Sequence, residues 1–294
     1  MSIHKAGFVN ILGNPNVGKS TIMNVLVGEK ISIITSKSQT TRHRIMGIVN
    51  SDDYQIVFSD TPGIIKPNYK LQESMMKFAH TALVDADIVL YITDVNETKE
   101  KNSEFIEKVN KSNAPVLLLI NKVDLSDHEK IEKFVEDWKL LIPKAEIFPV
   151  SGLHNFNINN VLKRIIELLP ESPPFFDKEQ LTDKTERFFV QEIIREKILL
   201  NYDKEIPYSV EIEVEAFEDT ENLLRISALI YVSRESQKMI IIGNKGAAIK
   251  KVGTEARLDI EAFFGKKVFI ELFVKVNKNW RDDERKLKSF GYDL

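Results

Sequence analysis

Through the first 170 positions, apolar residues come in short unbroken runs at 8–12, 54–58, 88–92, 116–120 and 147–150. Between these runs the apolar residues recur at helical spacing. Ile22, Val25 and Leu26 do so before Gly28, and Phe105, Ile106 and Val109 do so again. A run that is apolar at nearly every position suits a strand covered on both faces. Such strands alternating with helices predict a mostly parallel sheet. Only Asn50-Ser51-Asp52-Asp53, a turn cluster, separates 45–49 from 54–58, so one antiparallel hairpin is expected. Residues 1–170 are therefore expected to form a doubly wound α/β domain.

The pattern breaks at Pro170-Glu171-Ser172-Pro173-Pro174, where prolines stop the preceding helix. We read 171–183 as a linker and 184–294 as a second, α+β domain. Its periodicity predicts a helix over 184–200, strands over 208–217 and 224–232, and then a helix. A Gly-x-x-Gly turn, a helix over 247–264 and a strand over 268–276 follow. In Glu211-Ile212-Glu213-Val214-Glu215 acids alternate with apolar residues, which predicts that the three glutamates share a solvent face.

Composition narrows the chemistry. The 294 residues include no cysteine, which excludes disulfides and thiolate-ligated metals, and the five histidines lack metal-ligand spacing. No apolar run approaches the roughly 18 residues of a spanning helix. The start MSIHKAGF has no signal-peptide core, so a cytoplasmic protein is expected. Net charge is −3, which gives no general attraction for nucleic acid. Locally, however, Arg234, Lys238, Lys245, Lys250 and Lys251 face a single acid, Glu235. Such a patch is either a focused anion site or a solvated helix face.

Gly13-Asn14-Pro15-Asn16-Val17-Gly18-Lys19-Ser20-Thr21 contains Gly-x-x-x-x-Gly-Lys-Ser between a predicted strand and a predicted helix. That is the context of a phosphate-binding loop, whose backbone amides and helix N-terminus surround phosphates. Lys19 would reach the terminal phosphates, and Ser20 would ligate Mg²⁺. Asp60-Thr61-Pro62-Gly63 puts a carboxylate at a strand end, where the metal would lie. Asn121-Lys122-Val123-Asp124 ends another strand. Asp124 can accept hydrogen bonds from guanine N1–H and its 2-amino group, donors that adenine lacks. Ser151-Gly152-Leu153 would offer a backbone amide to guanine O6. All four motifs fall at strand C-termini, as ligand sites of open α/β sheets do.

With these motifs, the first domain resembles the translation-factor-type P-loop GTPases. Gln39-Thr40-Thr41-Arg42-His43-Arg44 resembles that family's first switch segment. The resemblance implies that a threonine, Thr41 rather than Thr40, closes on Mg²⁺. Catalytic roles are expected for Lys19, Thr41, Asp60, Gly63 and Asn16. Ile64 stands where Ras-like proteins carry the water-orienting glutamine, so slow intrinsic hydrolysis is expected. Relatives with Pro-Asn-x-Gly-Lys-Ser use the asparagine to help hold K⁺; for Asn16 the other reading is a loop-stabilising side chain.

Gly243-Asn244-Lys245-Gly246 joins two predicted helices within an α-β-β-α-α-β order. KH domains use such a loop to clamp about four single-stranded nucleotides. Lys245 would neutralise phosphate, and Lys250, Lys251 and Arg257 continue along the next helix. The chain as a whole resembles bacterial ribosome-assembly GTPases that end in a KH domain of the second topological type. The resemblance extends to Glu192-Ile193-Ile194-Arg195-Glu196-Lys197 and to Trp280-Arg281-Asp282-Asp283-Glu284-Arg285. It implies GTP and GDP as ligands, a site near the 3′ end of small-subunit ribosomal RNA, and a role in small-subunit maturation. A monomer, loosely associated with the inner membrane face, is also expected. Two alternatives are a membrane-associated regulatory GTPase and an RNA-binding adaptor with a structural GTP site.

Overall fold

A computed structural model describes residues 4–97 and 102–292. The chain divides into two compact units, one ending at Asp183 and the other starting at Lys184 and taking in Tyr69–Leu71.

The first unit runs β1 (Lys5–Gly13), α1 (Lys19–Val27), β2 (Ile45–Asn50), β3 (Tyr54–Asp60), α2 (Lys70–Val84) and β4 (Ile88–Asp94). It continues with α3 (Ser103–Lys111), β5 (Val116–Asn121), α4 (His128–Leu141), β6 (Glu146–Pro149) and α5 (Ile158–Leu168). Its sheet has the order β2-β3-β1-β4-β5-β6. Every neighbouring pair is parallel except the expected β2–β3 hairpin. Strands β4 and β5 are buried at every position because helices cover both faces. On one face Tyr91, Leu118 and Ile120 pack with Ile106, Val109 and Trp138. This rigid sheet presents Gly13, Asp60 and Asn121 at the C-terminal ends of β1, β3 and β5.

Residues 171–183 follow the first unit closely. The Ile48 amide donates to the Leu181 carbonyl (2.8 Å), and the Met46 amide donates to Asp183 Oδ1 (2.9 Å). Gly47 and Thr182 form an antiparallel bridge. Gln55 Oε1 accepts from the Phe175 and Phe176 amides, at 2.7 and 3.0 Å. The outer edge of β2 is thereby partly paired, which blunts an exposed sheet edge.

The second unit runs α6 (Glu186–Asn201), α7 (Ile206–Ser209), β7 (Glu211–Asp219), β8 (Leu223–Val232), α8 (Glu235–Ile242), α9 (Ala247–Phe264), β9 (Lys267–Val276) and α10 (Glu284–Ser289). β8 is central, antiparallel to β7 and parallel to β9. Its inner-face residues Ile226 and Ile230 pack with Ile194, Ala256 and Ile260. No helix among the described residues is long and apolar enough to cross a membrane.

Two expectations need correction here. Tyr208 belongs to the short helix α7, where Pro207 in the first turn favours helical φ, so the strand starts only at Glu211. The three glutamates do not share a solvent face. Glu211 is buried and accepts from Tyr292 Oη at 2.9 Å. Glu213 accepts from Tyr231 Oη at 2.7 Å, and a register shift between Val214 and Ala216 breaks the alternation before exposed Glu215. The stretch from Trp280 to Tyr292 accounts for the covering. Trp280 is fully buried with Nε1 donating to Ser209 O (3.2 Å), and Phe290 lies tilted against Tyr231 with ring centres 5.4 Å apart.

The 192–197 segment is also explained. Arg195 is buried on α6 and donates to Glu192 through Nε (2.8 Å) and Nη2 (2.5 Å). Lys197 Nζ pairs with Asp259 of α9. Removing one partner of a buried ion pair strands the other charge, at a cost of about 3–5 kcal/mol. Arg195→Met is expected to lower the stability of the second unit by that order, read as a lowered urea midpoint by circular dichroism.

Candidate functional site

Gly18 makes the phosphate loop possible. Its φ is 97°, and a Cβ there would lie 2.2 Å from Asn121 Nδ2. With that space empty, the loop turns directly into α1 at Lys19. Lys19 is buried and its Nζ donates to the Asn14 carbonyl at 2.9 Å, folded back over the loop. Burial pulls its pKa down to about 8, against the raising fields of Asp60 and Glu97. A buried ammonium folded over such a loop is a strong receptor for phosphate oxygens.

Beside it, three oxygen-bearing side chains from separate elements converge. Ser20 Oγ donates to Asp60 Oδ2 (2.6 Å), Thr41 Oγ1 donates to the same oxygen (3.1 Å), and the two hydroxyls are 3.0 Å apart. Asp60 is fully buried, and its Oδ1 has no hydrogen-bond partner among the described residues. Burial pushes its carboxyl up, while Lys19, Ser20 and Thr41 pull it down. A buried carboxylate with an orphaned oxygen beside two hydroxyls is a donor set for a hard divalent cation. Thr40 is turned away, bonded to Thr35 Oγ1 (2.6 Å) and donating to the Lys37 carbonyl (2.7 Å). A cavity of about 410 Å³ lies over this end of the sheet, lined by Pro15, Asn16, Thr21, Gly63 and Lys122 among others.

Asn121 holds two loops together. Its Nδ2 donates to Val17 O (2.8 Å), and its Oδ1 accepts the Gly152 amide (2.9 Å). Lys122 Nζ donates to Asn16 O and to Asp94 Oδ2, both at 2.6 Å. Both residues thus shape the site through the loops they brace. Asp124 Oδ1 accepts from Ser151 Oγ at 2.5 Å, which aims the carboxylate. Thr61 Oγ1 donates to Ile11 O (2.6 Å) and so fastens the Asp60–Gly63 turn, including Pro62, to β1. Leu153 is 78% exposed.

In the second unit, Gly243 ends α8 with φ 71°, and a Cβ there would sit 2.6 Å from Ala248 Cβ. Asn244 and Lys245 project from the turn as exposed residues, and α9 begins directly after Gly246. The N-terminus of this 18-residue helix adds its positive dipole end to the loop. Lys250 and Lys251 are exposed on its first turns. Arg257 lies roughly 10 Å farther along the axis, where Nη1 pairs with Glu261 at 2.9 Å. Glu261 in turn accepts the Val268 amide, so Arg257 is tied into the helix–strand contact. Met239 and Ile240 leave apolar surface exposed on α8 beside the loop.

Comparison with known proteins gives matches for both units. Residues 8–122 match the family model of the 50S ribosome-binding GTPases, and 205–281 match that of the KH domain. GTPase Era of Syntrophus aciditrophicus is 45% identical over 292 residues, covering 98% of this chain and 95% of that protein. The chain belongs to the Era family of GTPases. Era of Clostridium kluyveri is 42% identical, covering 98% of this chain and 99% of its own. Two solved Era structures superpose with a TM-score of 0.94 at 37% identity, over 99% of this chain and all of theirs. One is a complex with MgGDPNP and nucleotides 1506–1542 of 16S ribosomal RNA, and the other is Aquifex aeolicus Era bound to GDP·AlF4⁻.

In this Era-family chain the position after Gly63 is fully committed to packing. Ile64 is buried in the hydrophobic cluster with Leu12 and Met76, and its amide donates to Gly13 O at 3.1 Å. Sequence reasoning missed the residues that brace the site from β4 and beyond. Asp94 holds Lys122; Glu97 accepts from Asn14 and from Thr93 Oγ1; Asn102 donates to Asn14 and to Ile64 O. Their only signal was position, at or beyond the C-terminal end of a central strand.

Proposed function

We propose that this GTPase is a switch that engages small-subunit ribosomal RNA near its 3′ end during small-subunit assembly. The observation that carries the RNA half is its full-length similarity to the Era crystallised with nucleotides 1506–1542 of 16S ribosomal RNA. The exposed Asn244–Lys245 turn and the α9 N-terminus support the same reading.

In the first unit, Lys19 and the loop amides bind the phosphates, while Asp124 and the Ser151–Leu153 loop select guanine. Ser20, Thr41 and Asp60 are the residues that hold Mg²⁺, whose charge offsets that of the phosphates when it is bound. Gly63, buried at the cavity wall, supplies its amide there. No side chain follows it to orient water, because Ile64 lies in the core. Transition-state charge then needs another source. Asn16, with an exposed side chain at the cavity rim, is our candidate to help hold K⁺.

Single-turnover GTP hydrolysis, with and without small ribosomal subunits, in potassium or sodium chloride at equal ionic strength, tests this reading. Turnover should be slow alone, faster with subunits, and faster in potassium. The adaptor reading requires no turnover under any of these conditions. Equal rates in both salts, or an unchanged rate in Asn16→Ala, would remove Asn16 from the mechanism.

A further inference from the structure

Thr41 reaches Asp60 from a connecting segment that has no regular structure of its own between α1 and β2. Something must hold that segment against the sheet. Three residues after Thr41, Arg44 closes its far end. Arg44 Nη1 and Nη2 donate to the two carboxylate oxygens of Asp85, at 2.5 and 3.0 Å. Nη2 also donates to Asn10 Oδ1 (3.1 Å), and Nε donates to Ser59 Oγ (2.9 Å).

The receptors are fixed points. Asn10 and Ser59 are fully buried on β1 and β3, directly paired in the parallel register, and Ser59 immediately precedes Asp60. Asn10 is held in turn, donating to Ala82 O (2.7 Å) and to Asp85 Oδ1 (2.6 Å). The Arg44 side chain is 11% exposed, and all three of its guanidinium nitrogens donate to these partners. A planar guanidinium gripped by a bidentate carboxylate and two buried side chains is a rigid clamp that lysine cannot reproduce.

We infer that Arg44 is a positioning residue for the Mg²⁺ site: by docking beside Asp60, it keeps Thr41 within reach of the metal. The inference rests on the reading of Thr41 as the ligand that closes on Mg²⁺. Switch segments are ordered through γ-phosphate–Mg²⁺ contacts and released after hydrolysis. Loss of the clamp should therefore weaken triphosphate binding and spare the diphosphate. A brace that merely stabilises the sheet would affect both alike.

The test is the affinity of the full-length protein for GDPNP and for GDP in Mg²⁺, in wild type, Arg44→Gln, Thr41→Ala and the double variant. Arg44→Gln should weaken GDPNP binding about tenfold, the order expected for a charge-assisted hydrogen bond, and change GDP binding less than about twofold. In the Thr41→Ala background, Arg44→Gln should cost nothing further, because the two act as one unit. Asp85→Asn, which loosens the same clamp while keeping Arg44, should shift GDPNP affinity in the same direction and serves if Arg44→Gln does not fold. Equal losses for both nucleotides, or losses that add in the double variant, overturn the inference. An unchanged GDPNP affinity in Thr41→Ala overturns the Thr41 reading instead.

Discussion

Asp124→Asn is expected to turn the guanine site toward xanthine. The carboxylate sits where Ser151 Oγ donates to its Oδ1 at 2.5 Å, with Oδ2 3.8 Å from His154 Nε2. Guanine offers two donors to such a group, N1–H and the 2-amino group, and each charge-assisted bond is worth about 1.5–3 kcal/mol. Asparagine keeps the oxygen that Ser151 holds and replaces the other acceptor with a donor. That donor opposes the guanine 2-amino group and suits the carbonyl that xanthine carries there. GTP affinity should fall by roughly two to four orders of magnitude, while xanthosine triphosphate gains. Competition titrations of GTP, ATP and xanthosine triphosphate against one fluorescent nucleotide measure this. Equal competition by ATP and GTP in the wild type would overturn the guanine assignment at its base.

That prediction could be framed from the chain alone, and the reason is local. Phosphate and base recognition depends on short motifs at strand ends, and strand ends are visible as the close of an apolar run. The order of Gly13–Ser20, Asp60–Gly63, Asn121–Asp124 and Ser151–Leu153 therefore mapped onto one edge of the sheet. Thr40 and Thr41 are adjacent and chemically identical, so the residues themselves left both open; the bond of Thr41 to Asp60 and the partners of Thr40 in its own loop separate them.

What stayed hidden depends on partners far apart in sequence. Glu211 is read as solvent-facing because alternation predicts sides of a sheet, not what covers a side. Its cover comes from Tyr292, 81 positions later. Glu192 and Arg195 have no assignable role until α6 is found buried. Residues 171–183 read as linker from proline and polarity, which report the lack of regular structure but not the edge of β2 beside which the chain lies. Arg257 is a local exception: it fits a basic stripe by spacing, but Glu261, its i,i+4 neighbour on the same helix, pairs with it.

The Gly243–Gly246 turn is where RNA contact should be separable from nucleotide binding. Gly243 has no room for a side chain, since a Cβ would press on Ala248, so its substitution would confound folding with binding. Asn244 and Lys245 are the informative positions, both exposed. Lys245 has φ 49°, a left-handed conformation that aspartate tolerates better than most residues. Asn244→Asp with Lys245→Asp removes one cation and adds two carboxylates where phosphates must approach the α9 N-terminus. Surface substitutions of this kind cost within about 0.5 kcal/mol of stability, so circular dichroism should be unchanged. Affinity for a short single-stranded RNA should fall by about a hundredfold or more, and the dependence of wild-type affinity on salt should flatten in the variant as phosphate contacts are lost. Fluorescent-nucleotide binding should stay at its wild-type value, because the residues that hold nucleotide lie in the other unit. Lys19→Ala should do the reverse, removing an ammonium that no other side chain replaces in the phosphate loop. Filter binding of RNA beside nucleotide titration reads both variants. Undiminished RNA affinity in the folded double-aspartate variant would mean that the turn is a helix connector and that RNA is held elsewhere on the chain.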